Sequence, residues 1–177
     1  MRWISFAILL YVTAVLQTAV APFLALHSIR PDFLVVVAVF YMLTAKDHDA
    51  ALAGWVIGLI IDLLTLSYPH QQYSNVGLHA ISLGLTAFLA VKARGVVVRE
   101  SVWSQLIFAF CAKFLLALAV GAHLLFATGA AGGFTDVAAR GLYEAIYCAA
   151  IAPYGCWILQ RMRGLLGVGF SHRWSVG

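Results

Sequence analysis

The sequence predicts an all-α, polytopic membrane protein with six transmembrane helices. Composition, the division of the chain into apolar runs, and the positions of the basic residues support this prediction. The chain has 177 residues, of which 63% are hydrophobic and 10% are charged, and its mean hydropathy is +0.95. Because soluble domains have about 25% charged residues, this composition indicates a protein that resides in lipid.

Six apolar runs follow one another along the chain. We place them at residues 3–26, 33–45, 50–68, 76–91, 102–128 and 141–160. The first run exceeds the roughly 20 residues that a transmembrane helix needs. A cleaved signal peptide is the competing interpretation, because Ala19-Val20-Ala21 resembles a cleavage site. The length of the run and the adjacent Pro22 favour a retained span.

The second run is short for a span, with 13 residues from Phe33 to Ala45, so a re-entrant segment is the alternative. The basic residues decide between the two. With six crossings, one side of the membrane holds eight bases: Arg2, Lys46, Lys92, Arg94, Arg99, Arg161, Arg163 and Arg173. The other side holds Arg30 and Arg140, and Lys113 lies within the membrane.

If the second run did not cross, the bases from Lys92 to Arg99 would change sides and this asymmetry would be lost. The positive-inside rule therefore predicts six crossings with both termini in the cytoplasm. The corresponding organisation is a transmembrane domain over residues 1–163 and a cytoplasmic tail over residues 164–177. The glycines of the tail favour a loosely held segment over an interfacial helix.

The third run carries a stripe of small residues that ends in a carboxylate. Gly54, Gly58 and Asp62 recur every four residues, so they share one face of a helix. Small residues at this spacing let another transmembrane helix approach closely. A carboxylate inside an apolar segment usually faces protein or a water-filled cavity. We therefore predict that Gly54, Gly58 and Asp62 form a packing face or a partner-binding face.

Three ionisable residues lie well inside apolar runs: Asp62, Lys113 and Glu144. By a helix rise of about 1.5 Å per residue, Asp62 and Lys113 lie at about the same depth. Buried charges in membranes usually pair, so we hypothesise an Asp62–Lys113 ion pair, with snorkelling of Lys113 as the alternative. Glu144 lies nearer the outer end of its helix, where water could reach it.

The sequence contains no pattern that predicts catalysis, a cofactor or a metal. It has no nucleotide-binding loop, no H-E-x-x-H and no G-x-S-x-G. Its three cysteines show no C-x-x-C spacing, and we interpret them as small apolar residues. Intramembrane acids also occur in proton relays, but here they form no repeated pattern.

The order of several short motifs resembles the family of rod shape-determining MreD proteins. The first motifs are Gln17 in the first helix, then Pro31-Asp32 at the start of the second, then Gly54-x3-Gly58-x3-Asp62. Gly77-Leu78-His79-Ala80 and the basic Lys92-Ala93-Arg94 follow. The specific part of the resemblance covers residues 17–94, and the remainder matches in length and hydropathy.

This resemblance implies a non-enzymatic scaffold in the bacterial inner membrane that supports cell elongation. The implied partners are MreC directly, and MreB, RodA and a class B penicillin-binding protein indirectly. It also implies a fold similar to the substrate-binding subunits of energy-coupling-factor transporters. The alternative function is therefore a small-molecule-binding transporter subunit, for which the candidate polar residues at the outer face are Asn75, His79, Asp136 and Glu144.

Overall fold

The computed structural model describes residues 2–25, 29–66, 77–93, 101–128 and 131–167. Every secondary-structure element in these ranges is an α-helix. The helices are α1 (Trp3–Ala19), α2 (Phe33–Thr44), α3 (Asp47–Leu66), α4 (Leu78–Ala93), α5 (Val102–Thr128), α6 (Ala131–Arg161) and α7 (Arg163–Leu166). The all-α prediction is confirmed for these residues. The first apolar run, predicted as one span over residues 3–26, is helical only to Ala19, and turns follow it.

The short helix α2 forms the centre of the molecule. Eleven of its 12 residues are buried, and it contacts α1, α3, α4, α5 and α6. A helix that is apolar on all sides is a core helix, and this explains why α2 shows no polar face in the sequence. The Phe6 ring of α1 packs edge-on against Tyr41 of α2, with 4.9 Å between the ring centroids.

Two helix pairs, α3 with α4 and α5 with α6, form the most extensive contacts of the fold. The glycine-rich residues 129–134 lie between the fifth and sixth apolar runs, and their composition predicts a turn. Helix α6 nevertheless begins at Ala131. Within it, Gly133 lies against Leu124 and Gly141 lies against Ala117 on α5. These two glycines allow α5 and α6 to approach each other closely. Their role is in helix packing and not in a turn.

The long helices have the length and composition of membrane spans. Among the described residues, three helical segments are apolar enough and long enough to cross a membrane: Asp47–Thr65, Val102–Phe126 and Gly133–Arg161. The helices Trp3–Ala19, Phe33–Thr44 and Leu78–Ala93 are apolar but shorter. The chain is thus a helical membrane protein, and the number of six crossings stays a prediction.

The beginning of the tail packs against the start of the first helix. Leu166 of α7 is buried, and its carbonyl accepts a hydrogen bond from the backbone N–H of Arg2 at 3.4 Å. Residues 163–166 are therefore held in place, contrary to the expectation of a loose tail from residue 164. Residues 168–177 lie outside the described residues.

Candidate functional site: two buried carboxylate clusters and a cavity

The face that carries Gly54, Gly58 and Asp62 packs against α4 of the same chain. A Cβ added at Gly54 would lie 2.7 Å from the Cβ of Ala87 on α4. One added at Gly58 would meet the His79 carbonyl oxygen and the backbone of Ala80. Of the two predicted roles, packing is the one that this geometry supports, because α4 covers the stripe that a partner helix would need.

Asp62 caps the start of α4. Its carboxylate oxygens accept hydrogen bonds from the backbone N–H groups of Gly77 at 2.9 Å, His79 at 3.2 Å and Ala80 at 3.2 Å. The first N–H groups of a helix have no partner within the helix, and a negative charge is stabilised there by the helix dipole. Gly77 has a φ of +97°, which favours glycine and positions its N–H toward the carboxylate.

The imidazole of His79 completes this cluster. Its Nδ1 lies 2.7 Å from the Asp62 carboxylate, and the carboxylate is 1% exposed. Asp62 is thus stabilised by three backbone donors and one side-chain donor, all from the chain segment that opens α4. We call Asp62, Gly77, His79 and Ala80 the α4 cluster.

The hypothesis of an Asp62–Lys113 ion pair is wrong. Lys113 Nζ lies 2.8 Å from Asp32 and 3.3 Å from Glu144. Equal depth along two helices does not bring two side chains together, because the side chains also have to face each other. Asp62 faces α4, whereas Lys113 faces the start of α2 and the side of α6.

A chain of alternating charges surrounds Lys113. Asp32 accepts from Lys113 through one carboxylate oxygen, and through the other it accepts from the backbone N–H of Val35 at 3.2 Å, as the N-cap of α2. Arg140 Nε donates to Glu144 at 3.2 Å, one helical turn away. We call Asp32, Lys113, Glu144 and Arg140 the charged cluster. Glu144 is therefore part of an ion-pair network and is not merely solvated at the end of its helix.

Gln17 joins α1 to the start of α2. Its side-chain carbonyl accepts from the backbone N–H of Phe33 at 2.8 Å, and its amide donates to the Pro31 carbonyl oxygen at 3.1 Å. The motif residues predicted from the family resemblance thus lie in two places. Gln17, Pro31 and Asp32 meet at the start of α2, and Asp62 and Gly77 meet at the start of α4.

A cavity of about 370 Å³ lies between these two places. His79 and Glu144, two of the four polar residues considered for a ligand site, line it. Asp136 is exposed and does not line the cavity, and Asn75 lies outside the described residues. The cavity is also lined by Arg30, Asp32 and Arg140, which the sequence did not predict as site residues. For Arg140, its spacing of four residues from Glu144 was an available signal.

The described residues contain no group of three or more His, Cys, Asp or Glu that could hold a metal ion. The cysteines are free thiols, of which Cys148 and Cys156 are buried and Cys111 is exposed. The two buried cysteines pack in the apolar core as small residues, in line with their sequence interpretation.

Comparison with known proteins yields one match. The family model described as rod shape-determining protein MreD matches residues 1–152. No curated protein matches the chain. No solved structure matches it either.

Proposed function

The chain belongs to the MreD family, and on that premise we propose that it is a non-enzymatic scaffold of the cell-elongation machinery in the bacterial inner membrane. In this proposal the chain binds MreC. Through MreC it acts with MreB, RodA and a class B penicillin-binding protein, and so supports peptidoglycan synthesis and rod shape. The observation that carries the proposal is the family match, which extends over 152 of the 177 residues.

The buried polar groups are compatible with a scaffold. In the α4 cluster the Asp62 carboxylate is saturated with donors and 1% exposed, so it is poorly placed to exchange protons or ions with solvent. The Gly54–Gly58 stripe is occupied by α4. We therefore propose that MreC contacts a surface other than this stripe, and that the stripe holds the scaffold itself together.

The proposed orientation places both termini in the cytoplasm. Labelling at positions 73 and 94 distinguishes this orientation from a topology in which α2 does not cross the membrane. Both positions lie outside the described residues. With a single cysteine at each position in turn, a membrane-impermeant thiol reagent added from the periplasm should modify position 73 and leave position 94 unmodified. Labelling of position 94 would contradict the predicted topology of six spans.

Depletion of this chain in its own bacterium tests the function. Rod-shaped cells should become round as the chain is depleted, and re-expression of a tagged copy should restore rods. Mild-detergent purification of the tagged copy should recover MreC, whereas an unrelated tagged multi-span protein, as the control, should not. Normal shape after depletion would contradict the proposal. Recovery of an ATPase module in place of MreC would favour the transporter alternative.

A further inference from the structure

The cavity between the two clusters has the size and composition of a ligand site. Helices α1 to α6 all contribute to its wall, and its volume of about 370 Å³ falls within the range of small-molecule pockets. Charged residues in a membrane protein are costly and usually mark a functional feature. Here they converge on one partly open cavity.

Within the described part of the chain, the charged side chains that line this cavity carry a net positive charge. Three cations, Arg30, Lys113 and Arg140, face two anions, Asp32 and Glu144, giving an excess of one positive charge. Lys113 is buried, and the side chain of Arg140 is 64% exposed. A long, exposed guanidinium group beside a buried ammonium group can reorient to contact an incoming anion without unfolding its surroundings.

His79 supplies a hydrogen-bond acceptor to the same cavity. Its Nδ1 is directed to the Asp62 carboxylate, so the proton of the neutral ring belongs on Nδ1, and Nε2 presents a lone pair. Since the α4 cluster fixes the ring, Nε2 is the nitrogen available to a ligand hydroxyl. Asp62 therefore orients the His79 ring through its Nδ1, as carboxylates behind a binding histidine do in other sites.

Beside these charged groups and the polar Gln17, Thr18 and Thr65, the wall has an apolar part. It is formed by side chains of α2, α3, α5 and α6: Leu34, Ile61, Leu64, Leu116, Val120 and Val137. An apolar portion of a ligand would be removed from water against these side chains, at about 25 cal/mol per Å² of apolar surface buried. A purely polar anion would leave them without a partner.

We propose that this cavity binds an anionic amphiphile whose charged group is a phosphate next to a hydroxyl. The phosphate contacts the cations Arg30, Lys113 and Arg140, and the hydroxyl donates to His79 Nε2. The apolar portion lies against the apolar wall. A glycerol-phosphate group has this chemistry, and it can come from an anionic membrane lipid or from a water-soluble ester.

Binding to the full chain in nanodiscs tests the proposal and separates the two sources. One arm compares thermal unfolding and native mass spectra in phosphatidylglycerol and in phosphatidylcholine. The other titrates glycerol 3-phosphate into phosphatidylcholine nanodiscs. The test variant is Arg140→Gln, and the control is Arg161→Gln on the same helix, where the guanidinium lies over the Trp157 ring.

Saturable binding in either arm supports the proposal if Arg140→Gln weakens it about tenfold, as expected for one lost charge-assisted hydrogen bond, and Arg161→Gln leaves it unchanged. The arm that shows binding identifies the source. Thermal unfolding of the Arg140→Gln variant without ligand checks that this variant folds. If it does not fold, Arg30→Gln is used as the test variant. Absence of binding in both arms, or equal binding by the test variant and the control, would overturn the proposal.

Discussion

Asp62 and Asp32 are both buried aspartates beside a helix start, yet they are stabilised in different ways. Asp62 lies outside the helix that it caps, and it accepts backbone N–H groups from the start of α4. Asp32 caps its own helix, α2, and its second oxygen accepts from Lys113. The Asp62 carboxylate is therefore stabilised mainly by the position of the α4 backbone, and the Asp32 carboxylate is stabilised by a cation from another helix.

This difference separates a packing role from a ligand-binding role. Backbone donors cannot move away from Asp62 without displacing α4, so the α4 cluster fixes two helices relative to each other. Side-chain cations can turn from one anion to another, so the charged cluster can accept a ligand while its helices stay in place. The Gly54–Gly58 stripe belongs to the first type, because it allows α3 to approach α4 closely enough for Asp62 to reach the N–H groups.

The largest effect is expected from Lys113→Met. The substitution leaves the Asp32 and Glu144 carboxylates without their shared cation, and removal of one partner of a buried ion pair costs about 3–5 kcal/mol. The free energy of unfolding in mixed micelles should fall by about that amount. Lys92→Met is the matched control, because Lys92 is exposed at the end of α4. Equal losses in the two variants would show that Lys113 has no special environment.

Gly58→Leu should have the next largest effect. Its side chain would meet the backbone of His79 and Ala80, which cannot move without separating α4 from Asp62, and overpacking costs typically about 1–3 kcal/mol. The abundance of the chain in the membrane should drop. Gly164→Leu, at a glycine with open space around it, should keep normal abundance. If the Gly58→Leu protein kept normal abundance and only failed to recover MreC, the result would contradict internal packing and would indicate that the stripe binds a partner.

A smaller loss, of about 1 kcal/mol, is expected from Gln17→Ala. The substitution removes one bond to the Phe33 N–H and one to the Pro31 carbonyl oxygen. A net hydrogen bond contributes about 0.5–1.5 kcal/mol, and because both bonds are only partly buried, we expect each at the lower end of that range. Thr18→Ala is the control, since its hydroxyl bonds only within α1 and is exposed. If both variants had the same stability as the parent chain, the link from Gln17 to α2 would be energetically unimportant.

The sequence predicted the helical class because composition and apolar runs depend on local chemistry. Helix α5 occupies Val102–Thr128, the same residues as the predicted fifth run. The stripe of Gly54, Gly58 and Asp62 was predictable as a contact face from its spacing. Which helix would cover it was not predictable, because periodicity gives the face of one helix and no information about its neighbour.

The glycines of residues 129–134 illustrate a second limit. The same residue type ends helices and allows close helix contacts, and only the packing of α6 on α5 distinguishes these roles for Gly133. The partner of Lys113 was missed for a related reason. The position of Asp32 is fully explained by its role as the N-cap of α2. The neighbouring sequence therefore gives no indication that it also binds Lys113, which lies 81 positions away.

A pair of double-mutant cycles tests most directly whether Asp62 and Asp32 belong to separate clusters. We measure the free energy of unfolding for Lys113→Met combined with Asp32→Asn, and for Lys113→Met combined with Asp62→Asn. Residues in contact couple by about 0.5–3 kcal/mol, and independent ones add within about 0.3–0.5 kcal/mol. We predict that the first pair loses at least about 1 kcal/mol less than the sum of its single variants and that the second pair is additive. Coupling between Asp62 and Lys113, with additivity between Asp32 and Lys113, would contradict the separation of the two clusters.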